Sequence, residues 1–88
     1  MSSPLHKPAY RAFLHRLRAS RERAGLTQRE AAQRLNRLQS YVSKCELGER
    51  RVDAVEVVEF AQLYRVTLEE LLIGPLNTSV TRKMHGVE

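Results

Sequence analysis

The sequence is poor in cysteine, in helix breakers and in long apolar runs. Cys45 is the single cysteine, so no intramolecular disulfide can form, and a reducing compartment, the cytoplasm, is expected. No apolar run reaches about 18 residues, so we predict no membrane span and no membrane partner. Only 4 glycines and 3 prolines interrupt the chain, which leaves long stretches free to form helices. With 88 residues, one small domain is expected and a two-domain enzyme is excluded.

Positive charge is concentrated in the first half of the chain. Residues 1–51 hold 12 basic and 4 acidic residues, a net charge of +8, whereas residues 52–88 hold 3 and 6, a net charge of −3. A basic half on a small domain is typical of a protein that binds a polyanion. Solubility or an acidic protein partner explains the charge alone equally well.

Capping residues and hydrophobic spacing predict an all-α fold. Three Thr or Asp residues are each followed three positions later by a glutamate that can complete a capping box: Thr27 and Glu30, Asp53 and Glu56, Thr67 and Glu70. A first helix that starts near Pro8 and ends at Gly25, and a third that ends at Gly48, complete the pattern. We predict a compact five-helix bundle over residues 9–75, with an N-terminal arm at 1–8 and a tail at 76–88.

Apolar positions indicate which face of each helix packs inward. In the third helix, Leu38, Val42 and Cys45 share one face, and the opposite face is polar. The fourth helix, from about Asp53 to Tyr64, is apolar over much of its circumference and is predicted to be the central one. For Cys45, a buried inert thiol is the favoured interpretation, and redox sensing is the alternative.

Two short helices joined by a tight turn at Asn36-Arg37 form the outline of a helix-turn-helix in the basic half. The turn Gly25-Leu26-Thr27-Gln28 is followed at fixed spacing by Ser43-Lys44-x-Glu46-x-Gly48. On these segments, the chain from about Leu14 to Ile73 resembles the XRE family, the Cro and C1-type helix-turn-helix repressors. The resemblance implies a lambda-repressor-like DNA-binding domain whose third helix reads bases in the major groove.

The outer face of the third helix carries the residues that the resemblance implies for base reading: Gln39, Ser40, Ser43 and Lys44. Gln39 and Lys44 are the stronger candidates, because an amide can pair bidentately with adenine and an ammonium can donate to guanine. The serine hydroxyls can contact a base or a phosphate. The alternative interpretation is an ordinary solvated polar face.

Five further residues are predicted to contact DNA phosphates: Gln28, Arg37, Tyr41, Arg50 and Arg51. Gln28 opens the second helix, where the resemblance implies a phosphate contact that the helix N-terminus strengthens. The arginines lie in the turn before the third helix and in the segment after it, so they can reach the flanking backbone. Surface solubility is the alternative for each arginine, and packing alone is the alternative for Tyr41.

Arg21 lies in the apolar stripe of the first helix, four residues after Leu17, and a charge there needs a partner. The resemblance implies a structural ion pair with Glu46 that ties the first helix to the third, and contact between Arg21 and a phosphate is the alternative. Leu38 stands where the family usually has a capping Ser or Thr, so the start of the third helix is expected to fray.

Nothing in the sequence indicates catalysis. His6, His15 and His85 lack the spacing of metal ligands, so no metal and no cofactor are expected. No nucleophile has an identifiable base partner, and the protein is not expected to be an enzyme.

One recognition helix carries too few base readers for specificity across a genome. We therefore predict a homodimer that binds a palindromic operator in double-stranded DNA as a transcriptional repressor associated with the nucleoid. The resemblance implies a dimer surface built by the fourth and fifth helices, so the candidate contacts are Val66, Leu68, Leu72, Ile73 and the tail. Alternatively, these residues complete the core of the monomer. The alternative function is an antitoxin or adaptor module whose main role is to bind a partner protein.

Overall fold

The structure is a computed structural model that describes residues 7–74. Within that range the chain forms five helices and no strand, which confirms the predicted all-α bundle: α1 (Pro8–Arg23), α2 (Gln28–Leu35), α3 (Gln39–Leu47), α4 (Ala54–Tyr64) and α5 (Leu68–Leu72). The predicted tail at 76–88, residues 1–6 of the predicted arm, and both His6 and His85 lie outside the described residues.

All three predicted capping boxes are present, at the starts of α2, α4 and α5. At α2, the Glu30 N–H donates to Thr27 Oγ1 at 3.0 Å, and the Thr27 N–H donates to Glu30 Oε1 at 2.9 Å. The backbone hydrogen bond from Thr27 also holds the pKa of Glu30 below its usual value. These boxes fix three helix starts by local contacts alone, which is why the sequence pattern located them.

All five helices contribute buried apolar side chains to one core, and α2 and α3 pack closely against each other within it. Leu17, Val42, Phe60 and Leu71 are the largest apolar side chains that are completely enclosed there. In α4, Val57, Phe60, Ala61 and Tyr64 are buried in this core, whereas Val55 and Val58 are exposed, so one face of the helix points inward. In a five-helix domain, α4 has neighbours on that one side only.

Arg16 fastens the short helix α5 to α1. Its Nε donates to the Leu71 carbonyl at 2.7 Å, and its Nη2 donates to the Leu72 carbonyl at 2.8 Å. The last carbonyls of a helix have no partner within the helix, and a cation there is favourable. Arg16 therefore stabilises the last turn of α5 through a contact between residues far apart in the sequence.

Gly48 ends α3 and allows it to lie close to α1. Its φ is +82°, in the left-handed region, and a Cβ atom at this position would lie 3.1 Å from Leu14 Cδ1. Any other residue would be strained by the backbone angle and would push against the core. The absence of a side chain at Gly48 thus allows the C-terminal end of α3 to lie close to α1.

The predicted inward orientation of Leu38 is wrong. Leu38 precedes α3 as its N-cap residue, in extended conformation (φ −75°, ψ 152°), and its side chain is exposed. Helical spacing assigns a face only to residues inside a helix, and the N-cap residue leaves that periodicity. The inner face of α3 is formed instead by Tyr41, Val42 and Cys45.

Candidate nucleic-acid interface

The outer face of α3 presents the residues predicted to read bases. Gln39, Ser40 and Lys44 are exposed, and Ser43 is half-buried, whereas the opposite face is enclosed in the core. An α-helix with one polar face outward and neighbours behind it has the shape and width to enter the major groove of B-DNA. The structure brings these four side chains onto one surface.

The start of α3 has no side-chain cap, because leucine supplies no acceptor. The Tyr41 N–H donates to the Leu38 carbonyl at 3.0 Å, which tightens the first turn without satisfying the amides of Gln39 and Ser40. Free amides and the helix dipole give this end of α3 a partial positive charge. The missing side-chain cap, which predicts fraying, therefore also favours binding of an anion at the N-terminus of α3.

Three side chains form an enclosed network between α1, α2 and α3, here called the Glu46 cluster: Arg21, Gln28 and Glu46. Arg21 binds the carboxylate with two hydrogen bonds, from Nε to Oε2 at 2.6 Å and from Nη2 to Oε1 at 3.1 Å. Its Nη1 donates to the Leu26 carbonyl at 2.9 Å. The hydrogen bonds with Glu46 raise the pKa of Arg21, so the guanidinium stays charged although it is buried. The network joins α1, α2 and α3.

Gln28 belongs to this network rather than to open solvent. Its Nε2 donates to Glu46 Oε1 at 3.0 Å, and the residue is half-buried. The amide nitrogen is therefore engaged within the protein. The predicted phosphate contact of Gln28 stays a prediction, for which the second hydrogen of Nε2 and the backbone N–H at the start of α2 are the donors.

A second network, here called the Glu56 cluster, lies at the other side of α3 and consists of Arg37, Tyr41, Arg50 and Glu56. Arg50 Nη1 donates to Glu56 Oε1 at 2.9 Å, and Arg37 Nη2 lies 3.7 Å from Glu56 Oε2. Both guanidinium groups lie over the Tyr41 ring, with the Cζ of Arg37 4.2 Å and that of Arg50 4.8 Å from its centroid. Glu56 is also the capping-box residue of α4.

The Glu56 cluster places two of the predicted phosphate contacts on one ring. Arg37 comes from the turn before α3 and Arg50 from the segment after it, so Tyr41 and Glu56 join the two flanking loops. The Tyr41 ring is buried and stacks on Phe60, with centroids 5.9 Å apart. The Tyr41 ring is thus packed within the protein, and the phosphate contact predicted for its hydroxyl stays a prediction. Arg51 is exposed and makes no ion pair within residues 7–74.

Burial and hydrogen bonds shift the ionisation of groups around the Glu56 cluster. The hydrogen bond from Arg50 holds the pKa of Glu56 below its usual value, and the same contact raises the pKa of Arg50. Burial raises the pKa of the Cys45 thiol, which keeps it neutral and poorly nucleophilic.

Sequence reasoning missed two of these residues. Sequence reasoning assigns Glu56 only to helix capping and Arg16 to no role, yet Glu56 pairs with Arg37 of the turn before α3, and Arg16 bonds to Leu71 of α5. A signal for Glu56 was available: it stands four residues before Phe60, so helical periodicity places it on the buried face of α4.

Comparison with known proteins decides the family. A family model described as a helix-turn-helix domain, associated with XRE-like DNA-binding regulators, matches residues 12–72. The chain belongs to this helix-turn-helix family. No curated protein and no solved structure matches it. The match covers all of α2 and α3, and membership of this family supports DNA binding by the domain.

The residues that the structure describes offer neither a membrane-spanning helix nor a metal site. In residues 7–74, no helix combines the length and apolar character needed to cross a bilayer. The described part of the chain also contains no group of three or more His, Cys, Asp or Glu placed to hold a metal ion.

Proposed function

We propose that the protein is a transcriptional repressor that binds a palindromic operator as a homodimer and reads it with α3 in the major groove. The observation that carries the proposal is the exposed polar face of α3, which lies within the matched helix-turn-helix domain. Gln39 and Lys44 are proposed to read adenine and guanine, and Ser40 and Ser43 to contact a base or a phosphate.

Phosphate contacts are proposed for the arginines that flank α3. Arg37 and Arg50 are held on Tyr41, so little side-chain entropy is lost when they bind a phosphate. Two further phosphate contacts are proposed. Arg51 offers an exposed guanidinium, and the start of α2 at Gln28 offers backbone N–H donors. These contacts fix the register of the protein on the duplex and carry no sequence information themselves.

Dimerisation is proposed through the apolar surface of α5 and its neighbours. Leu68, Leu72 and Ile73 are exposed, whereas Val66 packs partly against the core. A two-fold dimer would place two copies of α3 about 34 Å apart, one helical turn of DNA. Dimerisation supplies the second set of base contacts that a single short helix lacks.

The test is selection of bound DNA from a randomised pool at near-physiological salt, because low salt rewards non-specific phosphate binding. An enriched inverted repeat is expected. Gln39→Ala and Lys44→Ala should each lower affinity for it by about 1 to 3 kcal/mol and relax the preference at one base pair. Arg34→Ala is the charge-matched control for Lys44→Ala, because Arg34 is exposed beside Glu59 and Gln62 of α4, away from the residues proposed to contact DNA or a second copy.

Two outcomes would contradict the proposal. Binding that depends on salt but enriches no sequence would favour an antitoxin or adaptor that needs a partner protein. Unchanged base preference in both α3 variants would remove Gln39 and Lys44 from the interface. Repression itself is tested by a reporter gene placed behind the selected repeat, where increased transcription on adding the protein would indicate an activator.

A further inference from the structure

Leu38 is the most exposed large apolar residue of the described chain. Its side chain is 78% exposed, at the N-terminal end of α3, whereas Leu47 at the other end of the same helix is 67% exposed. Leu38 makes no capping hydrogen bond, and it contributes nothing to the core. A leucine that serves neither the helix nor the core retains its full apolar surface for a ligand.

The position of Leu38 determines what that ligand is. It lies between Arg37, a proposed phosphate contact, and Gln39, a proposed base reader. In a helix-turn-helix, the N-terminal residues of the recognition helix are the ones that meet base edges. The apolar feature that a base pair presents in the major groove is the C5 methyl group of thymine.

We propose that Leu38 is a specificity-determining residue that recognises thymine through its C5 methyl group. The inference rests on the proposed function, because it needs α3 in the major groove. Gln39 next to it favours adenine, so the two residues together select A·T pairs at the end of the half-site nearest the start of α3. Leucine in place of a capping residue thereby exchanges helix-end stability for an apolar base contact.

The test uses the enriched sequence and removes methyl groups one at a time. Each thymine of the half-site is replaced by deoxyuridine, which keeps base pairing and loses only the C5 methyl. At one thymine, wild-type protein is expected to bind about fourfold more weakly, which corresponds to about 0.8 kcal/mol for one buried methyl group. Leu38→Ala should bind thymine and deoxyuridine at that position equally.

Leu47→Ala is the matched control, a leucine truncated at the opposite end of α3, and it should keep the full sensitivity to deoxyuridine. Both variants should melt at the wild-type temperature, because both side chains are exposed. Equal folding ensures that a change in binding reports the contact with DNA.

The possible failures are distinguishable. If a sequence is enriched but no thymine shows the effect, or if the effect persists in Leu38→Ala, the role of Leu38 is overturned and the proposed function stands. If Leu47→Ala abolishes the effect as well, the contact does not belong to Leu38. If no sequence is enriched, the proposed function fails and this inference fails with it.

Discussion

Two glutamates with enclosed side chains, Glu46 of α3 and Glu56 of α4, hold arginines in different ways. The side chain of Glu46 is 5% exposed and that of Glu56 is 6% exposed, so both carboxylates are enclosed. Their partners differ: the Arg21 side chain is 10% exposed, whereas those of Arg37 and Arg50 are 39% and 40% exposed. The Glu46 cluster is closed, and the Glu56 cluster is open on its arginine side.

The hydrogen bonds show what this difference means. In the closed cluster, all three nitrogens of the Arg21 guanidinium donate within the protein. In the open cluster, Arg50 donates through Nη1 alone, and Arg37 lies 3.7 Å from its carboxylate. The closed cluster can only hold helices together, whereas the open one retains donors that can bind a phosphate.

The largest expected loss of stability comes from removing the carboxylate of the Glu46 cluster. Glu46→Ala leaves the buried charge of Arg21 unpaired and should lower the free energy of unfolding by about 3 to 5 kcal/mol in urea denaturation. The control is Glu22→Ala, which removes the exposed i,i+4 pair with Arg18 and should cost about 0 to 1 kcal/mol. Equal losses in the two variants would show that the Glu46 cluster is solvated like a surface pair.

A smaller loss is expected from the open cluster. Glu56→Ala removes the α4 capping contact to the Asp53 N–H and the anchor of Arg50, and should cost about 1 to 3 kcal/mol in the same denaturation experiment. The loss stays below that of Glu46→Ala because both arginines can turn to solvent. A loss as large as that of Glu46→Ala would show that the two clusters are equally closed.

Protonation of Glu56 should contribute to the loss of stability at acid pH. Its folded-state pKa is lowered, so its stabilisation is complete above the unfolded value of about 4.3 and is lost as pH falls through the folded pKa. Glu56→Gln should therefore show a flatter loss of stability in acid than wild type in urea titrations. Glu59→Gln, at an exposed position of α4, is the control. An unchanged acid slope in Glu56→Gln would contradict the lowered pKa.

Removing an arginine of the open cluster should affect DNA binding more than folding. Arg50→Ala should weaken all DNA sequences alike and reduce the slope of log affinity against log salt by about 0.9, the value for one phosphate contact. Filter binding over a range of salt concentrations measures both quantities, with Arg34→Ala as the control, because Arg34 lies beside Glu59 and Gln62 of α4. A loss confined to one base pair would mean that Arg50 reads a base.

The two clusters also show which contacts the sequence could predict. The Arg21 and Glu46 pair was expected because an arginine in an apolar stripe demands a partner, and the family resemblance supplied Glu46. Glu56 was interpreted as a capping residue, which is correct but incomplete, since the same oxygen also accepts from Arg50. A capping box is a contact within four residues, whereas the arginines reach Glu56 through tertiary packing that no local pattern encodes.

The prediction that Leu38 points inward failed for a different reason. The helical period was extended one residue beyond the start of α3, where the backbone is already extended. The three capping boxes, by contrast, placed helix starts correctly because their signal is the boundary itself. Boundary signals thus located the helices, and periodicity assigned faces correctly only inside them.

The smallest expected effect concerns Tyr64, whose ring is buried against Phe60 near the closed cluster. Its hydroxyl is buried and makes no hydrogen bond within residues 7–74, and burial raises the pKa of this phenol. Tyr64→Phe removes an unsatisfied polar atom and keeps the ring, so stability in urea should stay equal or rise by up to about 1 kcal/mol.

Tyr10→Phe is the matched control for Tyr64→Phe, because the Tyr10 hydroxyl accepts a hydrogen bond from the Val52 N–H at 2.9 Å. Losing that acceptor should lower stability by about 1 kcal/mol, opposite in sign to the change at Tyr64. A loss at Tyr64 equal to the loss at Tyr10 would show that its hydroxyl is hydrogen-bonded in solution. Water would then reach the surroundings of the Glu46 cluster, and the difference in solvent access between the Glu46 cluster and the Glu56 cluster would be smaller.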